Sequence, residues 1–140
     1  FNKYTTLLIK EIAGIYPISK NVATSINIVD MHFDIDTAIP LGLILNELIT
    51  NAFKYAFAEK ENNSITVSIA RNSDNNYILT FRDSGIGLPD NIDIKKTKSL
   101  GLRLITRLAK QLHGKMTYRR EGGSAFNITF KDTNQRRFSD

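Results

Sequence analysis

The stretch LNELITNAFKY, residues 45–55, carries most of the information about the fold. Glu47 and Asn51 are four residues apart, so on an α-helix they face the same side, and Lys54 follows along that edge. Apolar residues recur beside this edge at helical spacing, which predicts a long amphipathic helix over residues 38–57. These apolar positions are Leu41, Ile44, Leu45, Leu48, Ile49 and Ala52. One helix is therefore expected to supply both a core face and a polar stripe.

The polar stripe combines a carboxylate, an amide and an ammonium group, a set that suits a magnesium–nucleotide complex. Mg²⁺ prefers oxygen ligands and keeps several waters, so the side-chain oxygen of Asn51 is a candidate ligand. Glu47 can accept a hydrogen bond from metal-bound or attacking water, or act as a base. Lys54 can offset phosphate charge. The alternative is a charged surface face with one ordinary side-chain pair, and the stripe alone leaves both interpretations open.

Further along the chain in both directions, hydrophobic periodicity and turn residues predict three helices and five strands. We expect helices at 1–16, 38–57 and 100–113, and strands at 23–33, 64–71, 77–83, 115–120 and 124–131. Short polar or glycine turns join the last four strands in pairs, which favours antiparallel hairpins over an all-parallel sheet. The expected fold is α/β (α+β), a two-layer sandwich whose mixed, mostly antiparallel sheet is covered on one face by helices.

Local signals also predict where the helices begin and end. Asp36 or Thr37 is expected to cap the helix that contains the polar stripe. Pro40 would then sit early in that helix, where its missing N–H does no harm. Gly114 is expected to cap the end of the helix over 100–113.

Composition limits the class of protein. The 140 residues fit one domain, and the absence of cysteine excludes disulfides, thiolate metal sites and cysteine nucleophiles. Apolar runs are shorter than the roughly 18 residues that span a bilayer, and residues 1–10 lack the apolar stretch of a signal peptide. The expectation is a cytoplasmic domain from a longer protein, in which a membrane segment could lie elsewhere. The net charge of +5 favours an anionic ligand or partner without naming it.

A second motif, DSGIGL at residues 83–88, follows a predicted strand directly. Glycine lets the backbone approach a flat ligand closely. An ionised Asp83 accepts hydrogen bonds only, so it could bind the exocyclic amine of adenine. A simple Asp-Ser-Gly turn is the alternative, and the motif in isolation favours it.

Two shorter motifs lie further on. SLGLR, residues 99–103, begins a predicted helix, whose first N–H groups and positive dipole end can hold phosphate. Ser99 could equally be an N-cap and nothing more. GGSAF, residues 122–126, alone reads as a hairpin turn followed by a packed aromatic residue.

Together, in this order and spacing, the four motifs resemble the histidine kinase-type ATPase superfamily, which also includes DNA gyrase, MutL and a heat-shock chaperone. Residues 47–55 resemble its N box, 83–87 its first glycine box and 99–102 its second, and Gly123-Ser124 with Phe126 resembles its closing box. The resemblance covers about residues 20–131 and implies the Bergerat-type ATP-binding fold. Glu47 in place of the first N-box asparagine is similar to one subgroup of sensor histidine kinases.

The resemblance implies a role for each matching residue. Asn51 would ligate Mg²⁺ and Glu47 would sit on its water shell, which makes both the catalytic and metal-site candidates. Asp83 would bind adenine. The remaining ATP-binding candidates are Lys54 and Tyr55 at phosphate or ribose, Gly85, Gly87 and Leu88 around the pocket, Leu100, Gly101 and Leu102 at the phosphates, and Ser124 near adenine. Residues 89–98 would form a short ATP lid, with Lys95, Lys96 and Lys98 screening phosphate.

The sequence departs from the family pattern in two respects. Ser99 stands where many members have glycine, which puts close phosphate approach there in doubt. No phosphoacceptor histidine is recognisable, because His32 falls in a predicted strand and His113 ends a helix. The acceptor and dimerisation helices are therefore expected outside this chain.

The resemblance also predicts the domain division and the partners. Residues 1–16 would lead in from the acceptor region, 17–132 would form the ATP-binding domain, and 133–140 a polar tail. The expected partners are the acceptor and dimerisation helices of the same protein, a second copy in a homodimer, and a response regulator.

Three other functions compete with a histidine kinase. An anti-sigma-type serine kinase shares the same boxes, although the leading helix and residues 54–57 disfavour it. A non-catalytic interaction module could keep the fold, although Glu47, Asn51, Asp83 and Gly85 are all present. A nucleic-acid binder ranks last, because no basic stripe interleaved with aromatic residues is found.

Overall fold

The computed structural model describes residues 1–15, 22–29, 33–56, 63–72, 76–85, 100–120 and 122–132. Its elements are α1 (Asn2–Ile15), β1 (Val22–Ile28), α2 (Ile35–Asn51), a π-helical turn (Ala52–Ala56), β2 (Asn63–Arg71), β3 (Tyr77–Asp83), α3 (Leu100–Gln111), β4 (Met116–Arg120) and β5 (Ser124–Phe130). None of the helices within these ranges is long and apolar enough to cross a membrane. The predicted polar tail, residues 133–140, lies outside them.

The five strands form one sheet in the order β1-β2-β3-β5-β4. β1 pairs with β2 in parallel through the α2 crossover, and the other three pairings are antiparallel. Alternate residues of β2, such as Ile65, Val67 and Ile69, are buried on the face that the helices cover. The predicted two-layer sandwich with a mixed, mostly antiparallel sheet is confirmed.

The core lies between this sheet face and α2. Five apolar residues of α2 are at most 1% exposed: Leu41, Ile44, Leu45, Leu48 and Ile49. α1 joins the same core through Ile9 and Ile12 and packs against both α2 and β1. Burying a large aliphatic side chain contributes about 1.5–3 kcal/mol, so the stripe on α2 is a large part of what holds the two layers together.

The start of α2 differs from the prediction. The N-cap is Asp34, whose side chain accepts a hydrogen bond from the backbone N–H of Asp36 at 3.2 Å. Asp36 lies instead in the first turn, where the helix dipole favours a negative charge. Thr37 is buried and donates from its hydroxyl to Asp132 after β5. Since the helix starts three residues earlier than expected, Pro40 lies inside it and removes one intrahelical hydrogen bond.

The end of α2 also differs from the expected helix over 38–57. α-Helical geometry stops at Asn51 and a π-helical turn follows over Ala52–Ala56. Residue 57 lies outside the described ranges. A π turn is wider than an α turn, so the direction of Lys54 relative to Asn51 does not follow from α-helical spacing.

β1 is shorter than the predicted strand over 23–33, because its pairing ends near Val29, whose N–H donates to the carbonyl of Ile69. Beyond the gap at 30–32, Phe33 packs edge-on against Tyr77 and Phe130, with ring centroids 5.4 and 5.7 Å apart. Its apolar character therefore reflects a place in the core rather than in a strand. The other element boundaries agree with the prediction to within two residues.

The prediction that Gly114 caps α3 is wrong by one residue. His113 takes the positive φ, at 56°, and the N–H of Gly114 reaches back to the carbonyl of Ala109 at 2.9 Å. Gly114 is needed for space, because a β-carbon there would overlap the carbonyl of Thr129 on β5. Glycine at position 114 therefore lets the end of α3 pack closely on β5, and His113 adopts the left-handed backbone conformation.

His113→Gly is expected to raise the free energy of unfolding by about 1 kcal/mol, because glycine adopts positive φ without the steric penalty of a β-carbon. Denaturant unfolding of both proteins measures the difference. His113→Ala is the control, since it removes the imidazole but keeps the β-carbon. An equal gain in both variants would contradict the backbone explanation.

Candidate functional site

The predicted site residues that the structure describes fall into two clusters. The α2–α3 cluster contains Glu47, Asn51 and Gly101, where the C-terminal half of α2 meets the first turn of α3. The Asp83 cluster contains Asp83, Gly85 and Ser124, where β3 ends and β5 begins. Asp83 pairs with Ile65 and Ser124 and is buried with the helix-covered side of the sheet.

Glu47 and Asn51 lie side by side along α2 and both are half-buried. An ideal β-carbon placed on Gly101 would be 2.7 Å from Oε2 of Glu47 and 3.6 Å from Nδ2 of Asn51. The first turn of α3 therefore lies close to both side chains. Lys54 is exposed in the π-helical turn that follows α2.

The start of α3 brings two more predicted residues to the α2–α3 cluster. Leu102 is buried against α2 and anchors the helix, whereas Leu100 is 80% exposed. The unpaired N–H groups of this first turn point back along the helix axis, where the dipole favours an anion. The sequence motif predicted that Leu100, Gly101 and Leu102 act through these backbone N–H groups, and that role stays a prediction.

The carboxylate of Asp83 organises the second cluster. Its Oδ1 accepts hydrogen bonds from the backbone N–H of Gly85 at 2.9 Å and of Ser124 at 3.3 Å. The side chain is 8% exposed. Burial raises the pKa of this carboxyl above its ordinary value, and the two backbone hydrogen bonds lower it in part. Both of these hydrogen bonds end on Oδ1. Oδ2 is therefore the oxygen of this buried carboxylate that can accept a hydrogen bond from a ligand.

Gly123 belongs to the same cluster, although sequence reasoning gave it no role of its own. Its φ is +144° and a β-carbon there would overlap the backbone carbonyl of Asp83. Glycine at this position therefore lets β5 start tightly against the end of β3. The paired glycines at 122–123 indicated a close backbone contact in the sequence. The strand order then shows that the contact is with Asp83 at the end of β3.

Several predicted residues lie outside what the structure describes. These are Gly87, Leu88, the side chain of Tyr55, the lid at residues 89–98 with its three lysines, Ser99 and His32. Their roles stay predictions. His113 is exposed in the turn that follows α3.

The oxygen donors of the α2–α3 cluster are of the kind that magnesium takes. Across the residues that the structure describes, no group of three or more His, Cys, Asp or Glu side chains comes together. One amide oxygen and one carboxylate suit Mg²⁺, which takes few protein ligands and completes its shell with water and phosphate oxygens. The nearby helix start is a place for those phosphates.

Comparison with known proteins agrees with this geometry. Residues 36–134 match the family described as histidine kinase-, DNA gyrase B- and HSP90-like ATPases. Because the match covers most of the chain, the chain belongs to this family. The matched region contains α2, α3, four of the five strands and both clusters.

Two curated relatives are histidine kinases. Blue-light-activated histidine kinase 2 of Erythrobacter litoralis is 28% identical over 95 residues, which are 67% of this chain and 28% of that protein. Sensor histidine kinase PdtaS of Mycobacterium tuberculosis is 31% identical over 96 residues, which are 65% of this chain and 19% of that protein. The chain thus spans less than a third of either relative.

Solved structures show the same fold. The EL346 blue-light activated histidine kinase of Erythrobacter litoralis superimposes with a TM-score of 0.84 at 22% identity, covering 98% of this chain and 43% of that one. The histidine kinase AdeS of Acinetobacter baumannii gives 0.68 at 21% identity, covering 92% of this chain and 65% of that one.

The raised pKa of Asp83 predicts a pH-dependent effect of Asp83→Asn on stability. The amide keeps an acceptor for both backbone N–H groups but removes the buried charge. As pH rises from 3.8 through the raised folded pKa, the unfolded wild type releases its proton first, so the wild type loses stability. The variant has no such loss and gains relative stability over that window.

Denaturant unfolding at several pH values between about 3.5 and 8 measures this difference. The stability of the variant relative to the wild type should be lowest below pH 3.8, where Asp83 is mostly protonated in both states of the wild type. A variant whose relative stability fell with rising pH would show that the backbone hydrogen bonds outweigh burial.

Proposed function

We propose that this chain is the ATP-binding catalytic domain of a two-component sensor histidine kinase. It would transfer the terminal phosphoryl group of Mg-ATP to a histidine outside this chain, for relay to an aspartate of a response regulator. The observation that carries the proposal is the contact of Glu47 and Asn51 with the first turn of α3 at Gly101. The curated relatives, both histidine kinases, support the same activity.

In this proposal the two clusters bind opposite ends of the nucleotide. The oxygen of Asn51 would hold Mg²⁺, and Glu47 would accept hydrogen bonds from its water shell. The backbone N–H groups of Leu100, Gly101 and Leu102 would contact phosphate oxygens at the start of α3. Lys54, exposed beside them, would offset phosphate charge.

The Asp83 cluster would bind the adenine. Oδ1 of Asp83 is already fixed by the N–H groups of Gly85 and Ser124, which leaves Oδ2 for the exocyclic amine. Fixing one oxygen orients the other, so the carboxylate needs little rearrangement when the base arrives. The hydroxyl of the buried Ser124 would lie at the same end of the pocket.

Catalysis at such a site is mostly positioning and charge stabilisation. Bound Mg²⁺ would supply charge neutralisation at the transferring phosphoryl group. Glu47 has two alternative roles in this proposal: it would orient metal-bound water, or it would act as a base when water attacks. Without an acceptor histidine, the isolated domain should bind ATP but hydrolyse it slowly.

The proposed partners are those that supply the acceptors in this phosphoryl transfer. Helices carrying the acceptor histidine, in the same protein, would present it to the phosphate end of the nucleotide. The whole protein would be a cytoplasmic or membrane-anchored homodimer, with the response regulator as the final acceptor. α1 would connect the domain to those helices, since it packs against both α2 and β1.

Asn51→Ala is expected to weaken Mg-ATP binding by at least about tenfold, because it removes a direct metal ligand. Binding of ATP in EDTA should change much less, since the adenine contacts remain. Calorimetric titration of the chain with a non-hydrolysable ATP analogue, with and without Mg²⁺, measures both. Asn46→Ala, the same change on α2 outside the cluster, is the matched control and should bind like the wild type.

Two results would count against the proposal. No binding of Mg-nucleotide by the wild type at millimolar concentration would refute ATP binding altogether. Unchanged Mg-ATP binding and phosphotransfer in Asn51→Ala would favour a non-catalytic module instead.

A further inference from the structure

The first turn of α3 approaches α2 closely at one point. A β-carbon on Gly101 would come 2.7 Å from Oε2 and 3.7 Å from Cδ of Glu47. Real β-carbons essentially never make a contact as short as the first. The atom that would be displaced belongs to the carboxylate itself, so an added methyl group at position 101 would act first on Glu47.

Gly101 is not explained by backbone conformation. It lies in the helical part of α3, and positive φ among the described glycines occurs only at Gly122 and Gly123. Glycine within a helix is less stable than alanine. Gly14 in α1 gives the contrast, because a β-carbon there would meet nothing within 4 Å. Helix propensity therefore disfavours Gly101, and the space it leaves is filled by Glu47.

We infer that Gly101 is a positioning residue that fixes the carboxylate of Glu47 against the first turn of α3, and thereby sets the metal-dependent affinity for ATP. The role in affinity rests on the proposed function, whereas the contact itself does not. Glu47 is half-buried, and the positive end of α3 attracts its negative charge. The missing side chain at position 101 is what allows the carboxylate to lie there.

A methyl group at position 101 has two ways to be accommodated. Either the Glu47 carboxylate turns away from α3, or α3 moves away from α2. Asn51 lies 3.6 Å from the same point, so a shift of the helix would also widen the gap beside the metal ligand. Both responses disturb the oxygen donors for Mg²⁺ and leave the Asp83 cluster, on the strand ends, in place.

The test begins with Gly101→Ala and Gly14→Ala in the full chain. Calorimetry with a non-hydrolysable ATP analogue should show Mg²⁺-dependent affinity reduced about tenfold in Gly101→Ala, with affinity in EDTA little changed. Gly14→Ala should bind like the wild type. A Gly101→Ala variant that keeps wild-type affinity in Mg²⁺ would overturn the inference.

A second measurement asks whether the two residues act through their contact. Glu47→Asp shortens the side chain by about 1.5 Å and makes room for a methyl group, whereas Glu47→Gln keeps the length and removes the charge. Gly101→Ala should shift the midpoint of thermal unfolding without nucleotide about 1–3 °C less favourably in the wild type and in Glu47→Gln than in Glu47→Asp, because the end of the longer side chain must move aside. In Glu47→Asp it should leave the midpoint unchanged or raise it, as helix propensity predicts.

The unfolding midpoints of Gly101→Ala in the three Glu47 backgrounds form a double-mutant cycle. This cycle separates the inference from the proposed function. If the wild type bound no Mg-ATP, the proposed function would fail, and the cycle would still decide whether Gly101 fixes Glu47. Equal effects of Gly101→Ala in all three backgrounds would show that the residues are independent, which overturns the inference whatever binds at the site.

Discussion

Burial of one face of α2 against the sheet is the constraint on which the rest of the structure depends. Its apolar stripe is almost fully removed from water, and this fixes the rotation of the helix about its own axis. Once that rotation is set, Glu47 and Asn51 project from the side of α2 that faces the start of α3. The packing of α2 therefore sets the side of the helix from which Glu47 and Asn51 project, and the close approach of Gly101 leaves room for the Glu47 carboxylate beside α3.

In the Asp83 cluster, burial and backbone hydrogen bonding have opposite effects on the carboxylate. Transfer of a carboxylate out of water is unfavourable, and here two backbone N–H groups recover only part of that loss. The loops after β3 and before β5 must therefore hold the carboxylate in place against its own tendency to be solvated. A ligand that donates a hydrogen bond to this carboxylate would offset part of that loss.

Much of this arrangement was predictable, and the failures have physical causes. Periodicity gave α2, α3 and the hairpins because each buries one face, and helical spacing predicted that Glu47 and Asn51 lie on one side of α2. The cap at Asp34 and the positive φ of His113 escaped prediction because stronger local candidates, Asp36 and Gly114, stood beside them. Gly114 and Gly123 serve contacts with Thr129 and Asp83, which are distant in sequence, so only the folded sheet reveals their purpose.

The hydrogen bond from Ser124 to Asp83 joins positions 41 residues apart. α3 and β4 both lie within the segment of chain whose ends this hydrogen bond joins. Bringing the ends of such a segment together costs chain entropy before any contact compensates for it. Non-local pairings of this kind slow folding, so we expect β3 and β5 to pair late in folding. The Asp83 cluster would then form only when β3 and β5 have paired.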